Sequence, residues 1–201
     1  MSENRQYFSK TNNELPSNEK IIYGKINDLS FKFKTDNGVF SKDFLDFASK
    51  LLLEKMDFES LLDGAILDVG CGYGPIGIYA SYITKKPVVM LDINPRALEL
   101  SRYNLRLNNV EATVLESDCL DEVINDKFAC VITNPPIHAG KDVVYKIYEQ
   151  SYEVLIEGGS LWIVIQEKHG APSTIKKLNT IFQKVEIFYK KKGFYILKCI
   201  K

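Results

Sequence analysis

Hydrophobic positions recur along this chain in two periods. Leu29, Phe31 and Phe33 alternate with Ser30, Lys32 and Lys34, the period of two of a half-buried strand. Phe44, Leu45, Phe47, Ala48, Leu51 and Leu52 follow at helical spacing behind Ser41, a residue type suited to an N-cap. From Ala65 onward, short apolar runs at 65–69, 88–91, 112–115, 128–133 and 160–165 alternate with amphipathic stretches that begin near Pro75, Pro95, Lys141 and Pro172. Strand and helix in strict alternation predict an α/β domain with a mostly parallel sheet and helices on both faces. Prolines at helix starts cost nothing, because the first N–H has no helical partner. Gly158 and Gly159 are expected to end the helix that begins near Lys141.

The alternation breaks at the C-terminus. Val185, Ile187 and Tyr189 run into Lys190-Lys191-Lys192-Gly193, and Phe194, Ile196 and Leu197 follow, which predicts a hairpin turning at the glycine and an antiparallel last strand. Residues 1–20 are polar and read as a loosely held lead-in. The expected division is an N-terminal extension of one strand and one helix over residues 1–56, partly flexible, and a main domain over 57–201.

Composition narrows the partners. The 201 residues carry 26 basic and 26 acidic side chains, so no whole-molecule field marks a nucleic-acid binder. From Gln166 onward, however, nine lysines face only Glu167 and Glu186. This permits a local basic face, although solvated lysines on element exteriors account for the same pattern. The four cysteines are scattered without a Cys-x-x-Cys pair, which suggests no metal site, no disulfide framework and a reducing, cytoplasmic setting. No apolar run has membrane-spanning length, and no membrane association is expected.

The densest chemistry lies in Leu67-Asp68-Val69-Gly70-Cys71-Gly72-Tyr73-Gly74, where a strand meets an acid and then glycines at every second position. So many residues without a side chain imply a sharp turn against which a ligand lies. Gly72 to Gly77 fits the Gly-x-Gly-x-x-Gly dinucleotide pattern, with Asp92 at the end of the next strand to hold ribose hydroxyls. That pattern alone is weak, and Asp68 turns it away from a pyrophosphate, which gains nothing from a carboxylate at the loop. S-adenosylmethionine has no phosphate but offers an ammonium, a sulfonium, a ribose diol and an adenine. Asp68 would take the ammonium directly or through water, Gly70, Cys71, Gly72 and Gly74 would form the loop, and Asp92 would hold the diol with Ile93 on the adenine face. Asp118 would accept from the adenine amine while the N–H of Cys119 or Leu120 meets a ring nitrogen.

Asn134-Pro135-Pro136 closes the fourth strand of the alternation. Two prolines delay the next helix and leave the Pro135 carbonyl without an expected internal partner, so it is free to point into the cleft beside the Asn134 amide oxygen. Two acceptors aimed at one point suit a planar NH2 group. Asn134 and Pro135 are therefore the candidate catalytic pair, with Pro136, Ile137 and His138 as candidate substrate contacts. Phe40 and Tyr73 are further candidates to stack on a base, and His169 is read as a surface or hinge residue.

The glycine loop, Asp92-Ile93-Asn94, Ser117-Asp118 and Asn134-Pro135-Pro136 resemble, in order, the motifs of class I S-adenosylmethionine-dependent methyltransferases. Asn134 to Lys141 is most similar to the small-subunit ribosomal RNA guanine methyltransferases of the RsmC type, in their short single-domain form; segments around Gly38-Val39-Phe40-Ser41 and 166–173 are similar as well. The resemblance implies a Rossmann-like seven-stranded sheet with an antiparallel last strand, N-methyl transfer to an exocyclic amine, and ribosomal RNA or a ribosomal subunit as partner. Such enzymes usually place an aromatic residue after Asn-Pro-Pro, where this chain has Ile137. Alternatives that share the NH2 geometry are adenine and a protein glutamine amide of release-factor type; a non-catalytic S-adenosylmethionine-binding RNA module and a dinucleotide oxidoreductase are the rivals from other classes.

Overall fold

The computed structural model describes residues 16–201, so residues 1–15 of the expected lead-in lie outside it. A seven-stranded sheet has the order β5-β4-β3-β6-β7-β9-β8, built from β3 (Ile66–Val69), β4 (Val88–Asp92), β5 (Thr113–Glu116), β6 (Phe128–Thr133), β7 (Leu155–Gln166), β8 (Lys184–Lys191) and β9 (Phe194–Ile200). The strands β3 to β7 pair in parallel. The last strand, β9, runs antiparallel between β7 and β8, so the antiparallel strand is internal and β8 forms the edge.

The two central strands are buried at every position, as continuous apolar runs must be in a sheet covered on both faces. Alternate residues point to opposite layers. Ile66, Met90, Ile132 and Trp162 pack with α1 (Phe47–Lys55), α2 (Pro75–Thr84) and α3 (Pro95–Leu107); Leu67, Leu91, Val131 and Ile163 pack with α4 (Lys141–Val154) and α5 (Ala171–Leu178). The chain winds outward from β3 to β5 and then returns to β6 on the other side of β3. The loops after β3 and β6 therefore diverge, which opens a crevice at the carboxyl ends of these strands.

The N-terminal part holds a hairpin, β1 (Lys20–Ile26) paired antiparallel with β2 (Leu29–Thr35), where the sequence pattern predicts only the second strand. Gly24 hides β1 from the pattern: it occupies a core-facing position between Ile22 and Ile26, where a Cβ would lie 3.1 Å from Leu45 and Phe33. The hairpin is fastened to α3 by two asparagines one helical turn apart. Asn104 bonds the Lys34 N–H and C=O, and Asn108 bonds those of Lys32, so side-chain amides take the place of a neighbouring strand.

Two expected boundaries move. Ser41 does not cap α1: it sits in a turn with φ +54°, and Asp46 is the N-cap, accepting from the Ser49 N–H at 2.8 Å. Gly158 and Gly159 do not end α4 either. The helix stops at Val154 because Leu155 turns extended, and the glycines lie inside β7 where its register to β6 shifts. A Cβ on Gly159 would come within 2.9 Å of the Ile156 carbonyl, so only glycine allows this irregularity. Among the described residues, no helix is long and apolar enough to cross a membrane and no cluster of three or more potential metal ligands occurs.

Candidate active site

A cavity of about 380 Å³ opens at the crevice. It is lined by the loop after β3, by Asp92 and Ile93, by Asp118 and Cys119, by Asn134 to His138, and by Val39, Phe40, Asp46 and Ser49 from the N-terminal part. Its size suits a nucleoside-sized ligand with a second group beside it.

The glycine loop is shaped by what lies on each side. Gly70 and Gly72 adopt φ +72° and +57°, and a Cβ on either would meet no protein atom within 4 Å. Both residues border the cavity, so such a Cβ would occupy ligand space. Gly74 and Gly77 instead face the protein: added Cβ atoms would lie 2.9 Å and 2.6 Å from Met90. The loop amides are largely committed to the protein. Those of Gly70 and Cys71 donate to the Leu91 carbonyl, that of Gly72 donates to Asp92 Oδ2, and that of Gly77 donates to Asp68 Oδ2. Pro75 at the helix start has no N–H. A pyrophosphate cradle needs those donors free. The dinucleotide rival is disfavoured by the same bonds.

Asp68 lies fully buried behind this loop and not on the cavity wall. Its Oδ2 takes the Gly77 N–H at 2.8 Å, while Oδ1 is buried without a partner. Burial pushes the Asp68 carboxyl up to about 8 against the opposing Gly77 N–H, with the charge of Asp92 adding the smallest push. Asp92 lines the cavity, its oxygens taking backbone N–H groups from Gly72 and Asn94 with that of Ile93 beside them, which leaves part of its acceptor capacity for a diol. Burial raises its pKa as well. Two recessed acids with spare acceptor capacity fit a ligand that is cationic and carries hydroxyls, as S-adenosylmethionine is.

Asp118 is largely exposed at the rim, 3.7 Å from Lys146, and Cys119 beside it has φ +55°. The Leu120 N–H is taken by Gln150 Oε1 at 3.0 Å, so of the two amides expected at the adenine ring only that of Cys119 is available.

At the end of β6, Asn134 is held by its nitrogen. Nδ2 donates to Asp46 Oδ2 at 3.1 Å and to Ser49 Oγ at 3.0 Å. A carboxylate only accepts, so the amide orientation is forced and Oδ1 remains as the acceptor for the cavity. The Pro135 carbonyl differs from expectation: it accepts the Ile137 N–H at 2.8 Å, because Pro136 at φ −75° and ψ 75° closes an inverse γ-turn. One lone pair is thereby engaged and one is left.

Ile137 and His138 border the cavity in a short 3-10 turn, and His138 packs edge-on against His169 at 5.9 Å. His169 is thus exposed but also part of the cavity wall, beyond its expected role as a surface or hinge residue. Tyr73 is not placed to stack on a base, since it is 3% exposed and tilts against Phe33 at 5.6 Å, whereas Phe40 is 47% exposed and borders the cavity. Asp46 and Ser49 belong to no motif. The only signal that could have found them was an acid three residues ahead of a serine at a helix start.

The methyltransferase small domain family matches residues 30–198. The uncharacterized protein YbxB of Bacillus subtilis is 45% identical over 199 residues, covering 98% of both chains. Ribosomal RNA small subunit methyltransferase C of Escherichia coli is 32% identical over 163 residues, 79% of this chain but 47% of its own length, so the chain spans about half of that relative. Among solved structures, the T. thermophilus 16S rRNA N2 methyltransferase RsmC, in complex with AdoMet and guanosine, superposes with a TM-score of 0.82 at 25% identity over 93% of this chain and 52% of that one. A match of this extent shows that the chain belongs to the methyltransferase small domain family and is a class I S-adenosylmethionine-dependent methyltransferase, similar to those of the RsmC type.

Proposed function

We propose that the protein methylates the exocyclic amine of a guanine in small-subunit ribosomal RNA. The observation that carries this reading is the Asn134 amide on the cavity wall, its nitrogen engaged by Asp46 and Ser49 and its oxygen left as an acceptor. Bound S-adenosylmethionine supplies an electrophilic methyl carbon. Asn134 Oδ1 accepts one N–H of the target amine, and the free lone pair of the Pro135 carbonyl accepts the other. Both bonds would hold the nitrogen for in-line attack and strengthen as positive charge develops on it; the methyl would leave the sulfonium sulfur as the nitrogen takes it, and the surplus N–H proton would pass to solvent. Neither a metal nor a strong base is required.

On the cofactor side, Gly70, Cys71, Gly72 and Gly74 form the turn that carries the methionine part, Asp68 answers its ammonium through the loop, Asp92 takes the ribose diol, and Ile93, Asp118 and Cys119 frame the adenine. From the N-terminal part, Phe40, Asp46 and Ser49 complete the cleft. A target base must leave its stack to enter. Phe40 supplies the aromatic surface that Ile137 does not. Docking to RNA falls to the β8–β9 turn, where Lys190, Lys191 and Lys192 are exposed and the Gly193 carbonyl ties the turn to Glu167 beside the cavity at 2.7 Å.

The test is methyl transfer from labelled S-adenosylmethionine to small subunits lacking this modification, to naked ribosomal RNA and to release factor. The expected product after digestion is N2-methylguanosine. Label in protein alone, or in N6-methyladenosine, overturns the guanine reading.

A further inference from the structure

The Asp46 carboxylate bonds through one oxygen only. The Ser49 N–H at 2.8 Å and the Asn134 Nδ2 at 3.1 Å both reach Oδ2. The residue borders the cavity, so Oδ1 is an acceptor held next to the amide that receives the target amine. A second observation marks the same corner as unfinished. Tyr73 borders the cavity, is 3% exposed, and its hydroxyl is buried without a partner. It lies close enough to Asp46 for that carboxylate's charge to add to burial in raising the phenol's pKa. Buried polar groups are satisfied in folded proteins, and an open set at a cavity wall points to a ligand that satisfies it.

The chemistry of the ligand follows from what flanks the amine. Adenine, cytosine and a glutamine amide each present an acceptor beside the NH2: N1, N3 and the carbonyl oxygen. Guanine alone presents a donor there, the N1–H. A carboxylate oxygen attracts that donor and repels the acceptors. Asn134 Oδ1 receives any of these amines equally well, so it carries no such discrimination.

We propose that Asp46 selects guanine, its Oδ1 accepting the N1–H beside the amine that Asn134 receives. The inference rests on the methyl-transfer reading of Asn134 and adds the residue that decides among amines. Asp46 also positions Asn134, and the two roles separate experimentally: Ser49 shares the positioning but faces the Asn134 nitrogen only.

The probes are guanosine, 2-aminopurine riboside and adenosine, titrated by NMR into protein saturated with S-adenosylhomocysteine. 2-Aminopurine keeps the amine at the same position but has a lone pair at N1. Wild type is expected to bind guanosine about tenfold or more above 2-aminopurine riboside, as a charge-assisted hydrogen bond implies. Asp46→Ser retains a good N-cap for the helix and is expected to erase that preference while leaving S-adenosylhomocysteine affinity within about twofold. Ser49→Ala is expected to weaken both nucleosides alike. A preference that survives Asp46→Ser overturns the selection by Asp46 and leaves the guanine reading standing. Wild type that favours adenosine, or binds no nucleoside, overturns the guanine reading and the inference with it.

Discussion

The Asp46 carboxylate and the Asn134 amide meet at 3.1 Å across 88 positions of chain, one at the start of α1 and the other at the end of β6. The contact sets which end of the amide is left to accept. Asn134→Ala removes the acceptor and is expected to lower kcat about 10²–10³-fold, the cost of losing one preorganised group at a developing charge. S-adenosylmethionine affinity, measured by calorimetry, should change little. Equal loss of both would remove Asn134 from the transfer step.

Ser49 is the milder lever on the same amide. Ser49→Ala deletes one of two acceptors for Nδ2 and leaves Asp46 in place. The expected result is a kcat reduced several-fold with KM for the cofactor unchanged, since one neutral hydrogen bond contributes about 1 kcal/mol. A changed cofactor KM in steady-state assays would contradict this division of roles.

The glycines of the loop should separate into two classes. Gly72→Ala places a methyl in ligand space at φ +57° and is expected to weaken S-adenosylmethionine binding by tenfold or more, read by calorimetry. Gly77→Ala drives a methyl to 2.6 Å from Met90 and should cost about 1–3 kcal/mol of stability, read by denaturant unfolding. Similar effects of both substitutions on both readouts would contradict the geometry.

Asp68 should give the protein a pH dependence of known sign. Its carboxyl holds a proton up to about 8 when folded, against 3.8 for the ordinary group, so the folded state binds more protons across the window from about 4 to 8. The stability it contributes is full below about 4 and is lost as pH rises through 8. Asp68→Asn should flatten that decline in thermal unfolding. Cofactor binding at pH 7 should release protons, because a nearby cation favours the ionised acid. Calorimetry in buffers of different ionisation enthalpy measures the release, and its persistence in Asp68→Asn would assign the proton elsewhere.

For RNA, replacing Lys190, Lys191 and Lys192 together with alanine should weaken binding to small-subunit RNA and lower the salt slope, while leaving cofactor affinity intact. Filter binding across a salt series reads both. An unchanged slope would move the docking surface away from the β8–β9 turn.

Much of the fold was legible because its signals are local. Alternating apolar runs announced β3 to β7, Gly193 announced the last hairpin, and acids at successive strand ends announced the crevice. The misplacements had local causes too. Gly24 broke the period of β1, Ser41 offered a cap one segment early, and the Gly158-Gly159 pair looked like a helix stop although it serves a strand irregularity.

By itself, the amino-acid order determined the layered α/β class, the glycine turn and the Asn-Pro-Pro corner, since each depends on residues within a few positions of one another. The tertiary structure decided which side of each polar group faces the cavity. Asp68 turns behind its loop, Pro135 spends a lone pair on Ile137, and Asn134 is oriented by Asp46 from a separate element. Hydrogen bonds depend on distance and direction to within tenths of an ångström, and a pairing across 88 residues leaves no trace in local periodicity.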